Sequence, residues 1–171
     1  MQHKKHKLFL SVAITVLFII STFLSCSNTL LINRSHSLPG WIYKRNEISA
    51  LESGKIYAVC PAKNIAKLGK IIGSLIDSPL CSNGVSPLIK ILAATPGDVI
   101  SADGINDIKI NGKPFKGSAP RKDSILPVYK FNGQLAPDNY LILTPHHDSF
   151  DSRYFGPVKG QNFLSTLNLI I

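Results

Sequence analysis

Leu88-Ile89-Lys90-Ile91-Leu92-Ala93-Ala94, closed by Thr95-Pro96-Gly97-Asp98, is the stretch on which the fold turns. A short aliphatic, β-rich run ended by a Pro-Gly-Asp turn predicts a strand. Side chains alternate along a strand, so Lys90 shares a face with Leu88 and Leu92, while Ile89 and Ile91 point the other way. All four neighbours are aliphatic. One reading lays the lysine stem along the sheet with its ammonium in water. The other buries the amine, and a neutral amine near pH 7 to 8 then needs about 3 to 4 kcal/mol against the ammonium, which low dielectric supplies.

Working outward, Lys55 to Cys60 predicts a strand that follows a Ser53-Gly54 turn and stops at Pro61. Ala62 to Ile76 places Ile65, Leu68, Ile72 and Leu75 on one helical face, although Gly69 and Gly73 weaken that helix. Asp77 to Pro87 has loop composition. Ile108-Lys109-Ile110-Asn111-Gly112-Lys113 predicts a hairpin with Asn-Gly at its tip. Asn139 to Thr144 and Phe163 to Ile171 complete the strands, and no internal repeat appears. The fold class is therefore mostly β.

Residues 1–7 form a basic tail, residues 8–32 carry no charged side chain, and residues 33–171 have the length of one compact domain. The apolar run is long enough to cross a bilayer as one helix. Lysines before it, with no comparable basic cluster just after, place the N-terminus in the cytoplasm and the domain outside. A cleaved signal is the competing reading, but no clear Ala-x-Ala site follows the run. The formal charge is +9, from 19 Lys+Arg against 10 Asp+Glu. The basic residues are dispersed without interleaved aromatics, which argues against nucleic acid as a partner and suits anionic lipid. Cys60 and Cys81 lack metal-ligand spacing. In an oxidising compartment they would form a disulfide; two separate buried thiols are the alternative.

Asn33-Arg34-Ser35-His36-Ser37-Leu38-Pro39-Gly40-Trp41-Ile42-Tyr43 follows the apolar run directly. Leu38-Pro39-Gly40 makes a rigid corner, and a serine just ahead of it can hold its hydroxyl clear of the backbone. Ser37 is the candidate nucleophile and Lys90 the candidate base; an ordinary Ser/Pro turn is the plainer alternative. Trp41 and Tyr43 suit either a head-group layer or a strand interior. Farther on, Asp151 and Arg153 lie two apart, so an extended segment would pair them on one side.

Taken in order, Ser35-His36-Ser37-Leu38-Pro39, Lys90 with Pro96-Gly97-Asp98, and Ser149-Phe150-Asp151-Ser152-Arg153-Tyr154-Phe155-Gly156 resemble the sequence boxes of the type I signal peptidases. The short length, the Leu38-Pro39-Gly40 corner with Tyr43 three residues on, and the cysteine pair are most similar to the branch containing the conjugal transfer peptidase TraF. The resemblance implies an antiparallel β domain on the membrane behind one N-terminal transmembrane helix, with no metal or organic cofactor. It implies a serine peptidase in which Ser37 is the nucleophile and Lys90 its base. Ser35 and the Ser37 amide would hold the oxyanion, Ser149 would orient the lysine, and Asp151 with Arg153 would brace the site. The partner would be an exported, pilin-like precursor bound as an extended strand and either hydrolysed or cyclised, alongside other transfer-apparatus proteins.

Two departures favour a dedicated substrate over general secretory processing. Ile91 follows the lysine where leader peptidases carry Arg, and Thr144-Pro145-His146-His147-Asp148 replaces a Gly-Asp-Asn-Arg run. A general leader peptidase remains one alternative, and an anchored, non-enzymatic assembly protein another. A Ser-His-Asp arrangement built on His36, His146 or His147 is less favoured, since adjacent side chains on an extended segment diverge and His36 sits next to Ser37. His146-His147-Asp148 reads as a solvated turn in preference to a metal site.

Overall fold

A computed structural model describes Val12, residues 14–18, Ser21 and residues 29–171. Most of the expected membrane-spanning segment, residues 8–32, lies outside the described residues. Residues 14–18 within it are helical, and among the described residues no helix is long and apolar enough to cross a membrane. The end of that segment departs from the expectation. Leu30–Ile32 is a strand, β1, with Leu31 buried in the domain, so the β fold begins before Asn33.

Among the described residues, ten strands form two antiparallel sheets. They are β1, β2 (Ile42–Asn46), β3 (Ile56–Val59), β4 (Leu88–Ala94), β5 (Val99–Ala102), β6 (Lys109–Ile110), β7 (Lys113–Pro114), β8 (Phe131–Gln134), β9 (Leu141–Leu143) and β10 (Phe163–Leu169). The larger sheet runs β1-β2-β10-β3-β4-β9 and the smaller β7-β6-β5-β8. The domain is therefore mostly β, as the turn-punctuated sequence predicts. The Asn-Gly hairpin forms as expected: Asn111 and Gly112 both take positive φ, which lets β6 and β7 fold back with matching twist.

β4 spans Leu88–Ala94, the ends that its aliphatic run and Pro-Gly-Asp stop predict. Leu88 and Leu92 enter one apolar cluster with Tyr57, Val59, Phe150 and Phe163. Ile89 faces a second, with Leu31, Leu38, Tyr43 and Leu167. Ala93 and Ala94 join a third, beneath the small sheet, with Ile100, Leu141 and Leu143. A register shift between Leu92 and Ala94 in the β4–β9 pairing accompanies this last change of partner. One strand thus ties together all three cores.

The helix after β3 is shorter than predicted. α1 spans Lys63–Ile71 and not Ala62–Ile76. Gly73 takes φ of +71°, and the amides of Gly73 and Ser74 return to the carbonyls of Lys70 and Gly69, a pairing that stops a helix. Gly69 is a packing residue: a Cβ there would sit 2.5 Å from Leu75 Cδ1. Tyr43 is core and Trp41 is 69% exposed, so the two aromatics separate.

Cys60, at the end of β3, is bonded to Cys81 across a Cα–Cα distance of 5.6 Å, pinning the loop after α1 to the large sheet. Closing a loop of roughly 20 residues stabilises a fold by about 3 kcal/mol. The Cys60→Ala/Cys81→Ala variant is expected to melt on the order of 10 °C lower, and reductant should lower the wild type similarly while leaving the variant unchanged. Calorimetry with and without reductant checks both.

Candidate active site

The loop joining β1 to β2 carries the candidate nucleophile, and its shape comes from Asn33. This side chain is 4% exposed and uses all its polar capacity locally. Its Nδ2 donates to the carbonyls of Leu38 (3.0 Å) and Gly40 (2.9 Å), while its Oδ1 accepts from the Ser35 backbone N–H (3.1 Å) and hydroxyl (3.3 Å). The Tyr43 hydroxyl donates to the Pro39 carbonyl from below. Gly40 admits the end of the chain's last strand, since a Cβ would lie 2.0 Å from Leu169 Cδ1, and the Ile171 carbonyl accepts from Trp41 N–H at 2.6 Å. The loop is held from three sides.

Ser37 points from this loop at β4. Lys90 Nζ lies 2.9 Å from Ser37 Oγ, and Ser37 Oγ lies 2.8 Å from Ser35 Oγ. Lys90 is only 4% exposed, in the middle of a strand buried on both faces. Burial pushes its pKa down from 10.5 to about 8, with Asp151 pulling it up and Arg153 pushing it farther down. The amine therefore yields its proton at mildly alkaline pH, beside a hydroxyl in hydrogen-bond reach.

Asp151 and Arg153 do pair, but not on an extended segment. Asp151 caps the four-residue helix α2 (Ser152–Phe155) and its carboxylate accepts the Arg153 backbone N–H. Arg153 turns back to grip both carboxylate oxygens, Nε to Oδ1 at 2.7 Å and Nη2 to Oδ2 at 2.9 Å. Neither side chain is exposed. The remaining guanidinium donors go to the carbonyls of Thr144, Gly117, Ala119 and His147, so one cation fastens two loop segments, 117–119 and 144–147, to α2.

Ser149 is buried too, but its hydroxyl has no hydrogen-bond partner among the described residues, and the lysine amine is met by Ser37 alone. The orienting contact expected of Ser149 is thus not formed. His146 and His147 stack at the surface, and Asp148 pairs with Arg121 as well as His147; their candidate ligand atoms lie within 4.8 Å of one another. His36 is exposed. Two supporting residues escaped the sequence reading. Asn33 had a local signal, an Asn two residues before a Ser amide, which is the pattern of an Asx turn. Ser152, whose buried hydroxyl accepts the Ile142 N–H at 2.9 Å, had none.

Removing one partner of a buried ion pair is costly because the other charge stays behind. Asp151→Asn preserves the helix cap, since Asn caps as well as Asp. It is expected to lower the unfolding free energy by about 3 to 5 kcal/mol through the stranded Arg153. Urea titration measures this, and a loss of only a few tenths would mean that the cap alone mattered.

Comparison with known proteins follows the same lines. The family model described as signal peptidase, peptidase S26, matches residues 3–171. A probable conjugal transfer protein TraF of Sinorhizobium fredii is 31% identical over 114 residues, 65% of this chain and 60% of that protein. The match therefore spans less than two thirds of that relative. The conjugal transfer protein TraF of Agrobacterium tumefaciens is 27% identical over 174 residues, 96% of this chain and 94% of its own. A signal peptidase I from Enterococcus faecalis aligns with a TM-score of 0.42 at 20% identity, covering 71% of this chain and 100% of that one. With the whole domain inside the matched span, the chain belongs to the S26 signal peptidase family.

Proposed function

We propose that the chain is a membrane-anchored serine endopeptidase working through a Ser37/Lys90 dyad on an exported precursor. The observation that carries this reading is the buried Lys90 amine 2.9 Å from Ser37 Oγ, with its pKa lowered to about 8. Neutral Lys90 takes the Ser37 proton as the serine oxygen attacks the scissile carbonyl. The Ser35 hydroxyl and the Ser37 backbone N–H stabilise the oxyanion. The Lys90 ammonium then gives its proton to the leaving amine, and an acyl-enzyme remains. Water, or the amine of a peptide end, attacks the ester while Lys90 again accepts the proton. The first nucleophile gives hydrolysis and the second gives transpeptidation or a ring. Asp151 and Arg153 set the field in which Lys90 titrates.

The relatives' names as conjugal transfer proteins support a precursor belonging to a conjugation apparatus, with a pilin propeptide the substrate we favour. The apolar segment before β1 would anchor the chain in the inner membrane, with the domain in the periplasm. Exposed Ile32, Trp41, Ile170 and Ile171 beside the serine loop suit a lipid surface.

Ser37→Ala and Lys90→Ala should each abolish cleavage of a co-expressed pilin precursor, read by mass spectrometry of its ends. Substantial processing by either variant would defeat the dyad. In the wild type, acylation by a serine-directed lactam should rise with pH through about 8, because Lys90 must lose its proton first. Stability follows from the same shift. The folded protein holds the Lys90 proton with a pKa of about 8, against 10.5 ordinarily, so the burial penalty is complete below pH 8 and gone above 10.5. That penalty is about 3 kcal/mol. Lys90→Met should therefore be more stable than wild type by about that much at pH 7, the gap narrowing between pH 8 and 10.5, as urea titration at several pH values would read.

A further inference from the structure

The geometry points to Asn33 as a positioning residue for Ser35 and, through it, for Ser37. This inference rests on the Ser37/Lys90 reading and goes beyond it. Both Asn33 donors are committed to the Leu38 and Gly40 carbonyls, so the amide cannot flip, and its oxygen must face Ser35. An oxygen acceptor there draws the Ser35 proton toward Asn33 and leaves the Ser35 lone pairs facing Ser37 at 2.8 Å.

While Lys90 is an ammonium, one directed chain follows. Lys90 donates to Ser37, Ser37 donates to Ser35, and Ser35 donates to Asn33. The nucleophile's own proton points away from the base. Once Lys90 is neutral, the Ser37 proton turns to Nζ, and Ser35 is released to swing its proton to the oxyanion. At 3.3 Å the Ser35 hydroxyl to Asn33 contact is the longest link, so it is the one that yields. The Ser35 backbone N–H stays on Asn33 Oδ1 throughout and keeps the serine in register. One buried amide thus holds the loop on both sides of the nucleophile and aims the hydroxyl that meets the developing charge.

The test uses the full chain in detergent micelles, with a serine-directed acylating lactam as probe and labelling followed by intact-mass spectrometry. Loss of folded protein lowers the labelled fraction, whereas mispositioning lowers the rate constant of the fraction that labels. Asn33→Ala is expected to slow acylation at least tenfold, as is Ser35→Ala. The double variant should be slowed by less than the product of the two single factors, because part of the Asn33 effect runs through the Ser35 hydroxyl. Asn33→Asp keeps an acceptor toward Ser35 but adds a negative charge to the chain, so its pH–rate midpoint should move above that of the wild type. Multiplicative slowing in the double variant, or an Asn33→Asp midpoint equal to the wild-type one, would overturn the assignment and leave Asn33 a purely structural loop residue. Absence of label on wild-type Ser37 would instead overturn the dyad on which it rests.

Discussion

An ammonium group has no stable place between three apolar clusters, and β4 puts one there. Leu88 and Leu92, Ile89, and the Ala93–Ala94 pair each belong to a different core, with Lys90 among them. The result is an amine whose proton is loosely held and a strand that cannot slip register without moving all three cores. Every other feature of the site is arranged around that constraint: a serine delivered to the amine, and a fixed pair of charges whose opposing effects on it partly cancel.

The charges themselves illustrate how the fold protects the arrangement. A buried Asp–Arg pair contributes little net stability, because desolvation offsets most of the attraction. Its value lies in the directions in which Arg153 can donate. By reaching Gly117, Ala119, Thr144 and His147 as well as Asp151, it holds the segment after β9 and the loop between β7 and β8 at fixed distances from α2. A lysine or glutamine lacks the fork needed to do so.

Much of this was legible in the sequence, for reasons that differ by residue. β4 was readable end to end because aliphatic composition and a Pro-Gly-Asp stop are both local signals. The Asn111-Gly112 hairpin was readable because its turn demands positive φ at two adjacent residues. The helix after β3 is shorter than its periodicity suggests because Ile72 and Leu75 keep the helical period while Gly73, at positive φ, ends the helix. Asp151 and Arg153 were paired correctly on the wrong backbone, since a cap and an extended segment both bring residues two apart together. The unpartnered Ser149 hydroxyl and the Ser152 contact with the Ile142 amide depend on how α2 packs against β9, and no local pattern encodes them. The start of the β domain was hidden because Leu30–Ile32 is as apolar as the run before it.

The order of the large sheet has a temporal side. The serine hairpin, β1 with β2, and the lysine-bearing pair, β3 with β4, do not touch each other through their own edges; β10 lies between β2 and β3. A chain synthesised from its N-terminus carries Ser37 and Lys90 long before it carries the strand that lies between their strand pairs. In the proposed dyad, the strand pairs that carry the two side chains join one sheet only through β10, which is the keystone of the arrangement.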